Sequence, residues 1–192
     1  MTKIVLASAS PRRKLLLEWA ELEFDILARE TEETFPPGLS PQEAAIYIAR
    51  GKAIATRELE LYKRYENRIP VLAADTMVVL NGEIIGKPVD REDAISILTR
   101  LAGNKHQVVT GVVILNDDTE ISFADTTEVV FHPISHSDLC YYVDKYKPFD
   151  KAGAYAIQEW IGVVGIKSIN GDFYNVMGLP VSRIITALKE NF

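Results

Sequence analysis

An α/β fold built on a mixed, twisted sheet flanked by helices is predicted for this 192-residue chain, and three observations predict it. A short apolar strand near the N-terminus runs straight into a capped helix, the pattern of a crossover unit. An Asn-Gly dipeptide between two apolar runs marks a tight hairpin. Helical stripes then alternate with strand-like segments to the C-terminus. Crossover helices call for parallel strand pairs and tight hairpins for antiparallel ones, so the sheet carries both.

Ile4-Val5-Leu6-Ala7 is a continuous apolar run, as expected of a strand covered on both faces. It leads into Ser10-Pro11, an N-cap followed by the residue best suited to the first helical position. Phe24 to Leu27 is strand-like. Ser40-Pro41-Gln42-Glu43 spells a capping box, and the stripe Ala44, Ala45, Ile48, Ala49 predicts a helix continuing to about Tyr65. Val71–Ala74 and Met77–Leu80 flank Asp75-Thr76, and Asn81-Gly82 turns the chain into Glu83-Ile84-Ile85. Asp90 caps a helix with the stripe Ala94, Ile97, Leu98, Leu101, which Gly103 stops. Val108–Leu115 and Thr119–Phe131 read as strands paired around Asn116-Asp117-Asp118. Ser135 or Ser137 caps a short helix, Gly162–Ile169 is strand-like, and Pro180 opens a last helix with Val181, Ile184, Ile185 and Leu188 inward. No repeat or linker divides the chain, so residues 1–192 are expected to form one domain.

Composition narrows the function. Hydrophobic residues make up 47%, enough for a sizeable core, and 27 acidic against 21 basic residues give a net charge of −6. That balance argues against nucleic-acid binding through general basicity, so any anionic ligand must be met locally. The single cysteine, Cys140, excludes an intrachain disulfide and a Cys-rich zinc cage, and reads as a small core residue. No apolar segment is long enough for a signal peptide or a membrane span, so a cytoplasmic protein is expected.

Ser8-Ala9-Ser10-Pro11-Arg12-Arg13 places two guanidinium groups at the start of a helix, where free N–H groups already favour an anion. Consecutive arginines there need a counter-anion, or else they point into water. No Walker loop is present. Asp75 interrupts an apolar strand, where a buried carboxylate costs several kcal/mol unless compensated. A divalent cation, a lysine, or work as a general base toward water are the candidates; a strand-terminal surface position is the plain alternative. In a regular hairpin Thr76 falls opposite Lys87 while Asp75 points the other way, so Asp75 and Lys87 can meet only if the ladder breaks. Gly86 and Pro88 favour such a break. Glu30, Glu32 and Glu33, together with Asp75, offer carboxylates suited to Mg²⁺ or Mn²⁺, with a solvated acidic loop as the plain alternative. His106, His132 and His136 show no metal-ligand spacing, and no Ser-His-Asp or Cys-His nucleophile arrangement is present. Lys151 adds a charge suited to phosphate, and the carboxamide of Gln158 matches the donor and acceptor edge of uracil or thymine, although a flipped carboxamide also accepts cytosine and an ordinary surface amide is the plain alternative.

These stretches together resemble the Maf-like nucleotide pyrophosphatase family, also called septum formation inhibitor proteins. The resemblance runs from Ala7–Arg13 through Ala74-Asp75-Thr76, Gly86-Lys87-Pro88, Gly103–His106 with Thr110-Gly111, and Asp150–Gln158 to Tyr174–Pro180. It implies two lobes around a cleft, a fold related to inosine triphosphate pyrophosphatases, and metal-dependent release of pyrophosphate from nucleoside triphosphates. Asp75 falls on the position of the proton acceptor. Arg12, Thr76 and Gln158 fall on positions linked to substrate choice, and Ala152–Gln158 looks like the branch acting on dTTP and UTP rather than on 7-methyl-GTP. A homodimer and a link to septum formation are implied in the same way. Two departures stand out: Glu159-Trp160 follow Gln158 where a glycine is common, and Asp172-Phe173 replace Ser-Tyr.

The expected assignment is Asp75 with Glu33 and Lys87 in the chemistry, Asp75 and Glu33 on the metal, and Ser8, Arg12, Arg13, Lys52, Thr76, Lys151 and Gln158 on the substrate. Arg13, Asp75 and Lys87 are expected to face one cavity. At about 4 Å and an effective dielectric near 20, each opposite charge on a triphosphate contributes on the order of 4 kcal/mol before desolvation. A sensor that binds a pyrimidine triphosphate without consuming it, and an enzyme releasing orthophosphate, are the competing readings.

Overall fold

The computed structural model describes residues 2–65, 69–117 and 119–192. The Asp118 position of the expected turn lies outside the described residues. In chain order the elements are β1 (Ile4–Leu6), α1 (Pro11–Trp19), β2 (Phe24–Ile26), α2 (Pro41–Arg57), α3 (Glu60–Lys63), β3 (Val71–Leu80), β4 (Glu83–Ile85), α4 (Arg91–Leu101), β5 (Lys105–Asn116), β6 (Thr119–Phe131), α5 (His136–Tyr146), α6 (Trp160–Gly165), β7 (Ile166–Asn170), α7 (Phe173–Met177) and α8 (Val181–Asn191). A 3₁₀ turn over Ala152–Ala154 precedes α6. Among the described residues seven strands form one sheet in the order β2-β1-β3-β5-β6-β7, with β4 hydrogen-bonded to β3. β1 runs parallel to β2 and β3, whereas β4 is antiparallel to β3 and β7 to β6. The sheet is mixed, as the sequence predicts.

Two compact units are distinguished by their internal contacts: residues 1–75, 110–125 and 178–192 form the first, and 76–109 with 126–177 the second. In the first, α2 packs its small residues directly on the sheet. Ala49 and Ala53 join Val5, Val71, Ala73, Val113 and Leu115 in one apolar cluster. Gly111 on β5 makes that approach possible, because a Cβ there would lie 2.3 Å from the carbonyl carbon of Ala45. Ser40 caps α2, accepting from the Glu43 N–H while Glu43 accepts from the Ser40 N–H, which is the reciprocal pattern its sequence spells.

The helix does not continue to Tyr65. It ends at Arg57, and Leu59 adopts an extended conformation before α3 begins. From Ala53 to Tyr62 an unbroken helix would advance about two and a half turns and leave Tyr62 on the opposite face. The break instead returns Tyr62 to the apolar cluster, with its hydroxyl donating to the Ile69 carbonyl at 2.8 Å.

In the second unit the hairpin has the expected register, Leu80 opposite Glu83 and Val78 opposite Ile85, with Asn81 and Gly82 both at positive φ. α4 packs against α5 and the 3₁₀ turn. Ser135, not Ser137, caps α5. Residues 162–165 are helical rather than strand: the N–H groups of Gly162 and Val163 both turn back to the Glu159 carbonyl, and β7 starts only at Ile166. A short apolar run has no period that separates these outcomes. Cys140 is half-buried beside His136 rather than in the core, since the inward stripe of α5 is Leu139, Tyr142 and Val143. Pro180 is the N-cap of α8, not its first helical residue.

Candidate functional site

In the first unit β1 delivers the chain to Ser8 and α1 turns Arg13 inward. The Ser10 side chain makes no capping bond; its N–H donates instead to Ser8 Oγ at 3.2 Å. Arg13 is only 8% exposed, with Nε donating to the Gly178 carbonyl at 2.9 Å and Nη1 to Ser8 Oγ at 3.2 Å. Burial pushes the guanidinium pKa down; the charge of Asp75 pushes it back up, Arg12 opposes it, and Glu33 supports it. A guanidinium stays protonated through such shifts, so Arg13 is a fixed, partly desolvated cation whose charge is felt by Asp75 and Glu33. Arg12 is half-exposed at the same helix start. The solvent-facing alternative for both arginines therefore fails at Arg13.

Asp75 is 8% exposed and lies on the face of β3 that also carries Val71 and Ala73, the face α2 covers. Lys52 continues the inward stripe of α2 between Ala49 and Thr56, and its Nζ lies 2.7 Å from Asp75 Oδ1 and 2.7 Å from Glu33 Oε1. Of the compensations open to a buried aspartate, the structure supplies the lysine. The ammonium gathers two carboxylates from separate segments onto one cation, which fixes the Asp75 oxygen in place.

Two carboxylates are a thin donor set for a metal, and no three His, Cys, Asp or Glu side chains gather in a metal-holding group among the described residues. Their chemistry nevertheless fits Mg²⁺ or Mn²⁺, hard ions that commonly take one or two carboxylates and complete their shell with water and substrate phosphates. Asp75 and Glu33 already converge on a common cation, Lys52.

The second unit carries the other expected residues. Thr76 is half-buried on β3. The β3–β4 ladder ends at Ile85, so the expected irregularity at Gly86 is present and exposed Lys87 lies beyond the last paired residue. The Gly86 carbonyl turns away to accept the Gly153 N–H at 3.1 Å. Gly153 sits at φ +69 with Val78 Cγ2 2.8 Å from where its Cβ would be, so only glycine fits. Lys151 is 7% exposed and pairs with Asp150 at 2.8 Å, while Glu159 Oε1 stands 3.6 Å from its Nζ. Gln158 presents its side chain at the surface. His106 takes no part in a titratable cluster: its Nε2 is 2.8 Å from the Tyr155 hydroxyl, its ring packs edge-on against Phe131 and Tyr155, and burial pushes its pKa down to about 4.

Some participants were not singled out by sequence reasoning. Gly178, which the sequence marks only as part of the Tyr174–Pro180 stretch, supplies the carbonyl that orients Arg13, a role its residue type does not signal. Tyr142 was hidden in an apolar stripe. Of the departures from the resemblance, Glu159 accepts from the Tyr142 hydroxyl, Trp160 packs edge-on against Tyr141, and the Asp172 carbonyl accepts from Thr127 at 2.9 Å.

Residues 3–191 match the family model described as Maf-like protein. The chain is 47% identical over 191 residues to a dTTP/UTP pyrophosphatase of Cytophaga hutchinsonii, covering 100% of this chain and 85% of that relative. It is also 47% identical over 192 residues to a dTTP/UTP pyrophosphatase of Bacillus velezensis, covering 99% and 97%. Among solved structures, the Ham1 protein of Staphylococcus aureus aligns with a TM-score of 0.53 at 18% identity, over 99% of this chain and 100% of that one, a likeness of fold alone.

Proposed function

The chain belongs to the Maf-like protein family, and from that premise we propose that it is a nucleoside triphosphate pyrophosphatase that hydrolyses dTTP and UTP to the monophosphate and pyrophosphate. The observation that carries the mechanism is Asp75 held buried and oriented by Lys52, within the field of the Arg13 cation.

Asp75 accepts a proton from a water as its oxygen attacks the α-phosphorus. The bond from that phosphorus to the α,β-bridging oxygen breaks, and its electrons leave on pyrophosphate. Lys52 holds the carboxylate so that its free oxygen is not spent searching rotamers. Arg12 and Arg13 meet charge that grows on the phosphate oxygens, with Ser8 keeping Arg13 in register. A divalent cation bound by Asp75, Glu33 and phosphate oxygens would supply Lewis-acid polarisation of the triphosphate. Lys87 and Lys151 are proposed to add positive charge for the leaving group, and Thr76 and Gln158 to select the base.

Family membership supports a homodimer, a cytoplasmic location and a link to septum formation, which sedimentation, fractionation and a division phenotype test respectively. No helix among the described residues is long and apolar enough to cross a membrane. The deciding experiment is purified protein with Mg²⁺ or Mn²⁺ and a panel of common and methylated triphosphates, with pyrophosphate measured directly. Pyrophosphate from dTTP and UTP is the expected result. Orthophosphate alone would move the cleavage to the terminal phosphate, and tight binding without product would make the protein a sensor.

A further inference from the structure

One phenolic hydroxyl on α5 holds the segment that carries Lys151 and Gln158. Tyr142 is fully buried, stacked on Tyr146 with ring centroids 5.0 Å apart, so its hydroxyl has a fixed position. That hydroxyl accepts the Ala156 N–H at 3.2 Å and donates to Glu159 Oε2. The other oxygen of the same carboxylate faces the buried Lys151 ammonium. Asp150, the second partner of Lys151, has a largely exposed side chain, so Glu159 is the more sheltered of its two anions. Gln158 lies between the two anchored points, Ala156 and Glu159, with its side chain free to reach outward.

An exposed carboxamide can rotate about its own terminal bond to satisfy either uracil or cytosine, and a backbone restraint leaves that rotation untouched. What the anchored backbone sets is where the Gln158 carboxamide stands relative to the buried Lys151 ammonium. We propose that Glu159 and Tyr142 are positioning residues for nucleotide binding: the carboxylate–phenol pair holds the Ala156–Glu159 backbone and so sets how well Gln158 and Lys151 meet one substrate together.

This inference rests on the pyrophosphatase reading above. Its test is kcat and KM for UTP and CTP in the wild type, Glu159→Ala, Glu159→Gln and Tyr142→Phe, with thermal melting of each. Loss of a hydrogen bond to a charged group predicts that Glu159→Ala and Tyr142→Phe raise KM for UTP about tenfold, raise KM for CTP by a similar factor, and leave kcat within about threefold. Glu159→Gln keeps an oxygen for the Tyr142 hydroxyl and is expected to retain the wild-type KM. An active wild type whose Glu159→Ala variant keeps its KM, or loses kcat and KM together with its melting temperature, overturns the inference alone. So does a Glu159→Gln variant as impaired as Glu159→Ala, since the carboxylate would then act by charge on Lys151. If Tyr142→Phe fails to fold, the two Glu159 variants decide. A wild type that releases no pyrophosphate from any triphosphate overturns the inference together with the reading beneath it.

Discussion

Replacing Asp75 with Asn tests the proposed chemistry with little change of shape. The substituted carboxamide would still offer an oxygen to Lys52, now 2.7 Å from Asp75 Oδ1, and Lys52 would keep Glu33 at 2.7 Å. The Coulomb attraction lost is about 6 kcal/mol at that separation and an effective dielectric near 20, most of it offset by the desolvation that the wild-type carboxylate suffers. Exchanging a charge-assisted hydrogen bond for a neutral one leaves a net loss of about 1 kcal/mol, a fall in melting temperature of about 2–4 °C. Turnover should fall much further, by about 10²–10⁴-fold, because an amide cannot take the proton of the attacking water. Nucleotide affinity measured without divalent metal should hold or improve, since one negative charge leaves the field of Arg13. Pyrophosphate release from UTP gives the first quantity and titration calorimetry on the same variant gives the second. Turnover within tenfold of wild type, or affinity lost in step with turnover, would refute the role of Asp75.

Lys52→Met leaves Asp75 and Glu33 without their shared cation and should cost about 3 kcal/mol of stability; millimolar Mg²⁺ should raise its melting temperature more than it raises that of the wild type, and no such gain would remove the metal from these carboxylates. Gly111→Ala forces a methyl into the Ala45 backbone and should cost about 3 kcal/mol, seen as a fall in melting temperature of about 6–12 °C. His106 is buried neutral with its pKa pushed down to about 4, below the ordinary 6.5, so the unfolded chain binds the extra proton between those values. Its contribution is whole above pH 6.5 and declines by about 3 kcal/mol as the pH falls to 4; denaturant melts of His106→Phe should show a flatter profile across that window, and an unchanged profile would clear His106.

Caps and turns were legible because their signals are local. Ser40 to Glu43, Asp90 and Asn81-Gly82 each satisfy backbone groups within a few residues, and the structure uses all of them as spelled. The break at Glu58-Leu59 was not, since it serves Tyr62 through contacts with strands far along the chain. The same distinction runs through the site. Asp75 announced itself as a carboxylate in an apolar strand, and Gly86 with Pro88 announced the end of the ladder. Which compensation Asp75 uses depended on the face of α2 presented to β3, although Lys52 breaking a stripe of alanines was a visible trace of it. Tyr142 and the Gly178 carbonyl left no trace, because a buried hydroxyl in an apolar stripe and a main-chain oxygen look like any other until the chain is folded.

The oxygen that orients Arg13 belongs to a residue 165 positions later in the chain. During synthesis, therefore, the N-terminal arginine emerges long before its anchor exists, and a product clipped ahead of Gly178 would carry every acidic and basic group of the first helix turn and the central strand yet lack the carbonyl that aims the guanidinium.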